Sequence, residues 1–143
     1  MQIAISLNKA LLATAALLAL GAGIGIAANK YGKPKSVIHV VTLYYKDGTT
    51  DAQKKEVLDG IEKMAASIPG MKNVWLRPIR VQGSVQVKQT DGTVQNRMLT
   101  DAFVMEFESE EALKLYADHP AHREWEKIYI PLRGQSRTSD ITN

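Results

Sequence analysis

Apolar positions along this chain change their period several times, and each change marks an element. "VIHVVTLYY", Val37 to Tyr45, is rich in β-branched and aromatic residues and predicts a strand. Val37, His39, Val41, Leu43 and Tyr45 share one face, and Ile38, Val40, Thr42 and Tyr44 share the other. Both faces are largely apolar, so both are expected to be covered. After a turn the period lengthens to that of a helix. Val57, Leu58, Ile61, Met64, Ala65 and Ile68 then form one stripe. Thr50 with Gln53 predicts a capping box at its start, and Pro69-Gly70 a stop. "KNVWLRPIRV", Lys72 to Val81, returns to a strand pattern. Pro78 cannot donate to a ladder, which puts this strand at an edge or gives it a bulge. Residues 83–98 alternate around Asp91-Gly92 and predict an exposed hairpin. "TDAFVMEFE", Thr100 to Glu108, predicts a further strand with Asp101, Phe103, Met105 and Phe107 on one face. Ser109 then caps a helix whose first turn carries Glu110 and Glu111. Pro120 interrupts it. A second helical piece spaces Ala121, Trp125, Ile128 and Leu132 and ends near Pro131. The polar tail supplies a last edge strand around Arg137 to Thr142.

The order is β-α-β, a hairpin, then β-α-β. The simplest packing is an α+β, ferredoxin-like arrangement, with an antiparallel four-stranded sheet and helices on one face. The opposite face is left apolar and without a cover. A second copy packed sheet to sheet about a two-fold axis would bury it, so a homodimer is expected.

The first segment stands apart. Ala10 to Ala28 carry no charge and are flanked by Lys9 and by Lys30, Lys33 and Lys35. The run is close to the roughly 20 apolar residues that span a bilayer. It also fits the basic start and apolar middle of a signal peptide. Residues 1–28 are therefore either a signal peptide or an N-terminal membrane anchor. The protein is expected to be exported or periplasmic, or held at a membrane by the uncleaved segment. Residues 29–36, "NKYGKPKS", form a polar linker, and the folded domain runs from 37 to 143.

Composition narrows the chemistry. The 143 residues hold 18 Lys and Arg against 15 Asp and Glu, a net charge of +3. With no clustered basic face, no nucleic-acid partner is expected. The absence of cysteine excludes a disulfide framework, a thiolate nucleophile and a cysteine-bound zinc.

Two of the three histidines lie in "YADHPAH", Tyr116 to His122. Pro120 suits the first position of a helix, and it pushes the preceding residue to an extended conformation. His119 is then the N-cap and His122 the third helical residue. The positive helix end favours a neutral, proton-accepting imidazole at His122, while Glu126 one turn on opposes that. A neutral histidine beside the Tyr116 hydroxyl makes an acid–base pair for removing a proton next to a carbonyl, or Tyr116 holds a developing oxyanion. His39 on the first strand is the third catalytic candidate. The plainer alternative is that Pro120 only kinks the chain, that the histidines bond nearby backbone, and that His39 belongs to a core or interface. Trp75, Trp125 and Phe103 are most simply core; they could instead line an apolar ligand cleft. Asp101 and His119 join Phe103 and Trp125 as candidate ligand contacts, Asp101 otherwise being a strand-end residue. No histidine spacing marks a metal site, and no cofactor is expected.

"IHVVTLYYKDG", "IPGMKNV", "DAFVMEFESEEALKLY" and above all "HPAH" resemble the stress-responsive dimeric α/β-barrel family, often called the Dabb domain. The resemblance covers about residues 37 to 142. It implies a ferredoxin-like fold and a dimer that forms a barrel between facing sheets. It also implies either of two roles. One is a stress-related or small-molecule-binding module with no assigned chemistry. The other is a cyclase or lyase type enzyme, as in a plant branch that folds a linear poly-keto chain by aldol condensation. In the cyclase pattern Tyr116, His122 and His39 match functional positions. Asp101 stands where that pattern has a further histidine, and the hairpin at 83–98 is longer. The implied ligand is a small apolar or carbonyl-containing molecule.

Overall fold

Strand β1 (Val37–Tyr45) runs through the middle of the main sheet. It pairs antiparallel with β5 (Asp101–Phe107) on one side and with β6 (Arg133–Ile141) on the other. β2 (Met71–Trp75) closes the far edge against β5, so the order is β2-β5-β1-β6. This is the expected ferredoxin-like antiparallel sheet. The computed structural model describes residues 32–143. The apolar run at 10–28, read as signal peptide or anchor, lies outside the described residues. Among the described residues no helix is long and apolar enough to cross a membrane.

The helices α1 (Asp51–Ser67), α2 (Glu110–Asp118) and α3 (Pro120–Leu132) lie on one face. α1 starts at the predicted capping box: Gln53 N–H donates to Thr50 Oγ1 at 3.2 Å, and Thr50 N–H donates to Gln53 Oε1 at 2.9 Å. Ser109 caps α2 by accepting from Ala112 N–H. The odd-numbered residues of β1 and β5 point into this layer. Leu43, Phe103, Met105 and Phe107 meet Val57, Ile61 and Met64 of α1, all fully buried. Each such side chain contributes about 1.5–3 kcal/mol relative to leaving it in water. Gly60 lets α3 come close. Trp125 packs against its bare backbone and donates its Nε1–H to the Val57 carbonyl at 2.9 Å.

Four expectations need correction. The second strand ends at Trp75 instead of continuing to Val81, ahead of the backbone restriction at Pro78. It does lie at an edge, and its register shifts between Met71 and Asn73. Trp75 is not core: it alternates onto the outer face beside Val104 and is 51% exposed. The last strand begins at Arg133, not Arg137, because α3 passes into it with no intervening loop. α3 ends at Leu132, next to Pro131 as expected, and Lys46 Nζ donates to the Pro131 carbonyl at 2.7 Å. The hairpin, β3 (Ser84–Lys88) with β4 (Val94–Met98), forms its own two-stranded sheet, turning at Gly92 with φ +85°. It is not wholly exposed, since Val85 is buried.

The outer face of the main sheet carries Ile38, Val40 and Thr42 from β1, Ala102 and Val104 from β5, and Trp75 from β2. Its apolar side chains are half-buried or exposed in the single chain.

Candidate functional site

The break between α2 and α3 is built by two adjacent residues. His119 is extended (φ −66°, ψ 137°) and caps α3, its Nδ1 accepting from Ala121 N–H at 3.2 Å. Pro120 opens the new helix, where a missing N–H costs nothing. The break turns His122 back toward Tyr116 at the end of α2, with ring centroids 4.2 Å apart.

A cavity of about 240 Å³ lies between these helices and the inner face of the sheet. Tyr116 and His122 line it from the helix side, His39 and Phe103 from the sheet, and Trp125 forms part of its wall. The structure thus gathers all three catalytic candidates with two of the four ligand candidates. It does not bring in the other two. His119 is occupied as the cap. Asp101 sits at the start of β5, where it accepts from Thr100 Oγ1 at 2.6 Å and lies 3.7 Å from Lys54 Nζ.

The hydrogen bonds define the chemistry of each group. A carbonyl can only accept, so His122 carries its proton on Nδ1, which donates to the Ala117 carbonyl at 3.1 Å. That leaves the Nε2 lone pair free to take a proton. Burial holds the His122 pKa below the ordinary histidine value, against the opposing pull of the Ala117 carbonyl and Glu126. Glu126 Oε1 lies 3.9 Å from Nε2, but its carboxylate is already engaged by Arg123 at 2.8 Å. Tyr116 is buried, and burial, reinforced by the negative charge of Glu126, raises its pKa strongly. Its hydroxyl therefore stays protonated and can donate. His39 Nδ1–H donates to Asp140 at 2.6 Å across the β1–β6 register, which fixes the imidazole edge-on to Tyr116 at 5.7 Å.

The sequence reading missed Asp140, Tyr129, Arg133, Ser136 and Thr138. Ser136, Thr138 and Asp140 alternate along β6, and a strand begun at Arg133 would have shown that period. A larger open groove of about 600 Å³ runs between α1 and α3, but charged residues such as Lys55, Asp59 and Glu124 rim it, and no acid–base pair faces it. Among the described residues no three histidine or carboxylate side chains gather as metal ligands.

The sequence pattern of the stress responsive A/B barrel domain matches residues 37–143. The chain belongs to this family. It is 31% identical over 104 residues to olivetolic acid cyclase of Cannabis sativa, a match spanning 66% of this chain and 92% of that protein. Among solved structures it is similar to a dimeric ferredoxin-like protein of unknown function from Jannaschia sp., with a TM-score of 0.57 at 19% identity over 76% of this chain and 99% of that one. It is also similar to the hydroxynitrile lyase of Passiflora edulis, with a TM-score of 0.56 at 19% identity over 76% and 93%. At these identities the two structures establish the fold of this Dabb domain and nothing further.

Proposed function

We propose that this Dabb protein is a homodimeric enzyme of cyclase or lyase type that moves protons on a small carbonyl compound bound in the cavity. One observation carries the reading. His122 is held neutral by burial, its Nδ1–H bonded to the Ala117 carbonyl, with the Nε2 lone pair free beside a tyrosine that stays protonated. Nε2 removes a proton from the carbon next to the carbonyl. The C–H electron pair moves into the enolate, and the Tyr116 hydroxyl donates to the oxygen that gains charge. The enolate carbon then attacks a second carbonyl of the same molecule, and the resulting alkoxide takes the proton back from His122. Run in reverse, the same transfers cleave a carbon–carbon bond. The His39–Asp140 pair holds the far side of Tyr116 in place. The 31% identity to a cyclase supports this class of reaction.

The dimer rests on the apolar outer face of the sheet, which is open in the single chain, and on the dimeric ferredoxin-like neighbours. The apolar run at 10–28 supports a place at or beyond a membrane, tested by fractionating cells that express the full chain. The catalytic reading is tested by following exchange of ketone C–H protons for deuterium. The parent should catalyse it, and His122→Ala should lose about a hundredfold or more while keeping its fold. Equal exchange by parent and variant would remove His122 from the chemistry.

A further inference from the structure

The acid–base pair uses only one end of the cavity, and the other end is cationic. Arg133 ends α3 and begins β6, and it is half-buried. Its guanidinium lies over the Tyr129 ring at 5.4 Å, and Nη1 donates to Ser136 Oγ at 3.3 Å. Among the described residues no carboxylate pairs with it: Asp140 is bonded to His39, and Glu126 to Arg123. The Tyr129 hydroxyl is fully buried, with the Ser136 hydroxyl and the Arg133 guanidinium close to it. Arg133 lines the cavity, so its unpaired charge borders the space a ligand would fill.

We infer that this end is an anion subsite, and that the ligand of the cavity is a small keto acid. The carboxylate sits on Arg133, and the ketone reaches Tyr116 and His122. The planar guanidinium fork matches a carboxylate. Charge also fixes the direction of binding, because Glu126 beside His122 repels an anion from the opposite end. The size agrees: a 240 Å³ space holds about eight waters at ~30 Å³ each, and so a ligand of roughly that many non-hydrogen atoms. The ketone half of the inference rests on the reading of Tyr116 and His122 given above. The carboxylate half rests on Arg133 alone.

The test titrates the full chain with levulinate and with its uncharged methyl ester, read by saturation-transfer NMR. Levulinate should bind about tenfold or more tighter than the ester. Arg133→Gln should abolish that preference while ester binding stays within about twofold. Arg133→Met, which keeps the aliphatic stem and removes the charge, should abolish the preference as well and serves if the glutamine variant misfolds. Equal binding of the two probes, an unchanged preference in both variants, or no saturable binding of levulinate would each overturn the inference. The two readings fail separately. Arg133-dependent binding of levulinate without C–H exchange keeps the anion subsite and removes the catalysis. Exchange that ignores both the carboxylate and Arg133 does the reverse.

Discussion

Replacing Gly60 by alanine tests the packing that holds the site, because two effects of opposite sign compete there. In a helix interior, glycine to alanine gains about 1 kcal/mol. At Gly60 the new Cβ would lie 2.5 Å from Trp125 Cδ1 and 3.2 Å from Nε1. Carbon atoms prefer roughly 3.5–4.0 Å, so ring or helix must move by about 1 Å. The indole has little room. It donates to the Val57 carbonyl at 2.9 Å, stacks on Tyr129 at 4.5 Å and meets Phe103 edge-on at 5.9 Å. Overpacking of this kind costs about 1–3 kcal/mol. Losing the buried indole hydrogen bond adds about 1–3 kcal/mol. The net expectation is destabilisation of about 2 kcal/mol, seen as a fall of roughly 10 °C in the unfolding midpoint at matched protein concentration. Trp125→Ala removes the atoms that clash, so in that background Gly60→Ala should become neutral or stabilising, a large coupling in a double-mutant cycle. A single variant as stable as the parent or more so would refute the reasoning, since helix propensity alone would then decide the outcome.

Other outcomes follow from the same structure. Because burial lowers the His122 pKa, its base form persists as pH falls, and kcat/KM should decline only below the ordinary histidine value of about 6.5. Tyr116 is shifted upward, so no alkaline loss from its ionisation should appear below about pH 10 in the same profile. Val104→Asp places a carboxylate on the apolar outer face and should convert the dimer to single chains in sedimentation equilibrium, with the inner cavity unchanged. Thr50→Ala removes the capping box of α1 and should cost about 1 kcal/mol in denaturant unfolding.

What could be recognised in the sequence, and what could not, divides along a physical line. β1, α1 and β5 announce themselves because local pattern and tertiary burial agree: Phe103, Met105 and Phe107 alternate in the chain and are buried in the fold. Both caps at Thr50 and Ser109 are local hydrogen bonds, and local spacing specifies them. Trp75 misleads, since its size suggests a core while its parity in the strand sets it on the outer face. β6 is harder for another reason. It is polar, its order comes from pairing with β1, and nothing within "RGQSRTSDI" marks its start. The site divides in the same way. Tyr116 and His122 lie within one motif. Arg133 reaches the cavity, and Asp140 reaches His39 at its wall, only through the β1–β6 register, which a single strand's sequence does not contain.

The "YADHPAH" stretch had two competing explanations, a structural helix break or a catalytic site, and the geometry joins them. Without Pro120 and the His119 cap, α2 would continue through residue 122. His122 would then fall six positions beyond Tyr116, about 240° around the axis at 3.6 residues per turn, far from the face Tyr116 uses. Ending one helix and starting the next brings the two rings to 4.2 Å and leaves the Ala117 carbonyl free of a helical partner, so that it accepts from His122 Nδ1. That carbonyl, released by the break, sets the tautomer and directs the Nε2 lone pair to be the acceptor. The structural role and the chemical role therefore depend on the same residues. Pro120→Ala should reduce turnover more than it reduces stability: easing the backbone restriction on His119 loosens the break and the contact between Tyr116 and His122, while Trp125 and Tyr129 keep their places in the core. A fall in turnover no greater than the fall in folded fraction would leave the break with a structural role only.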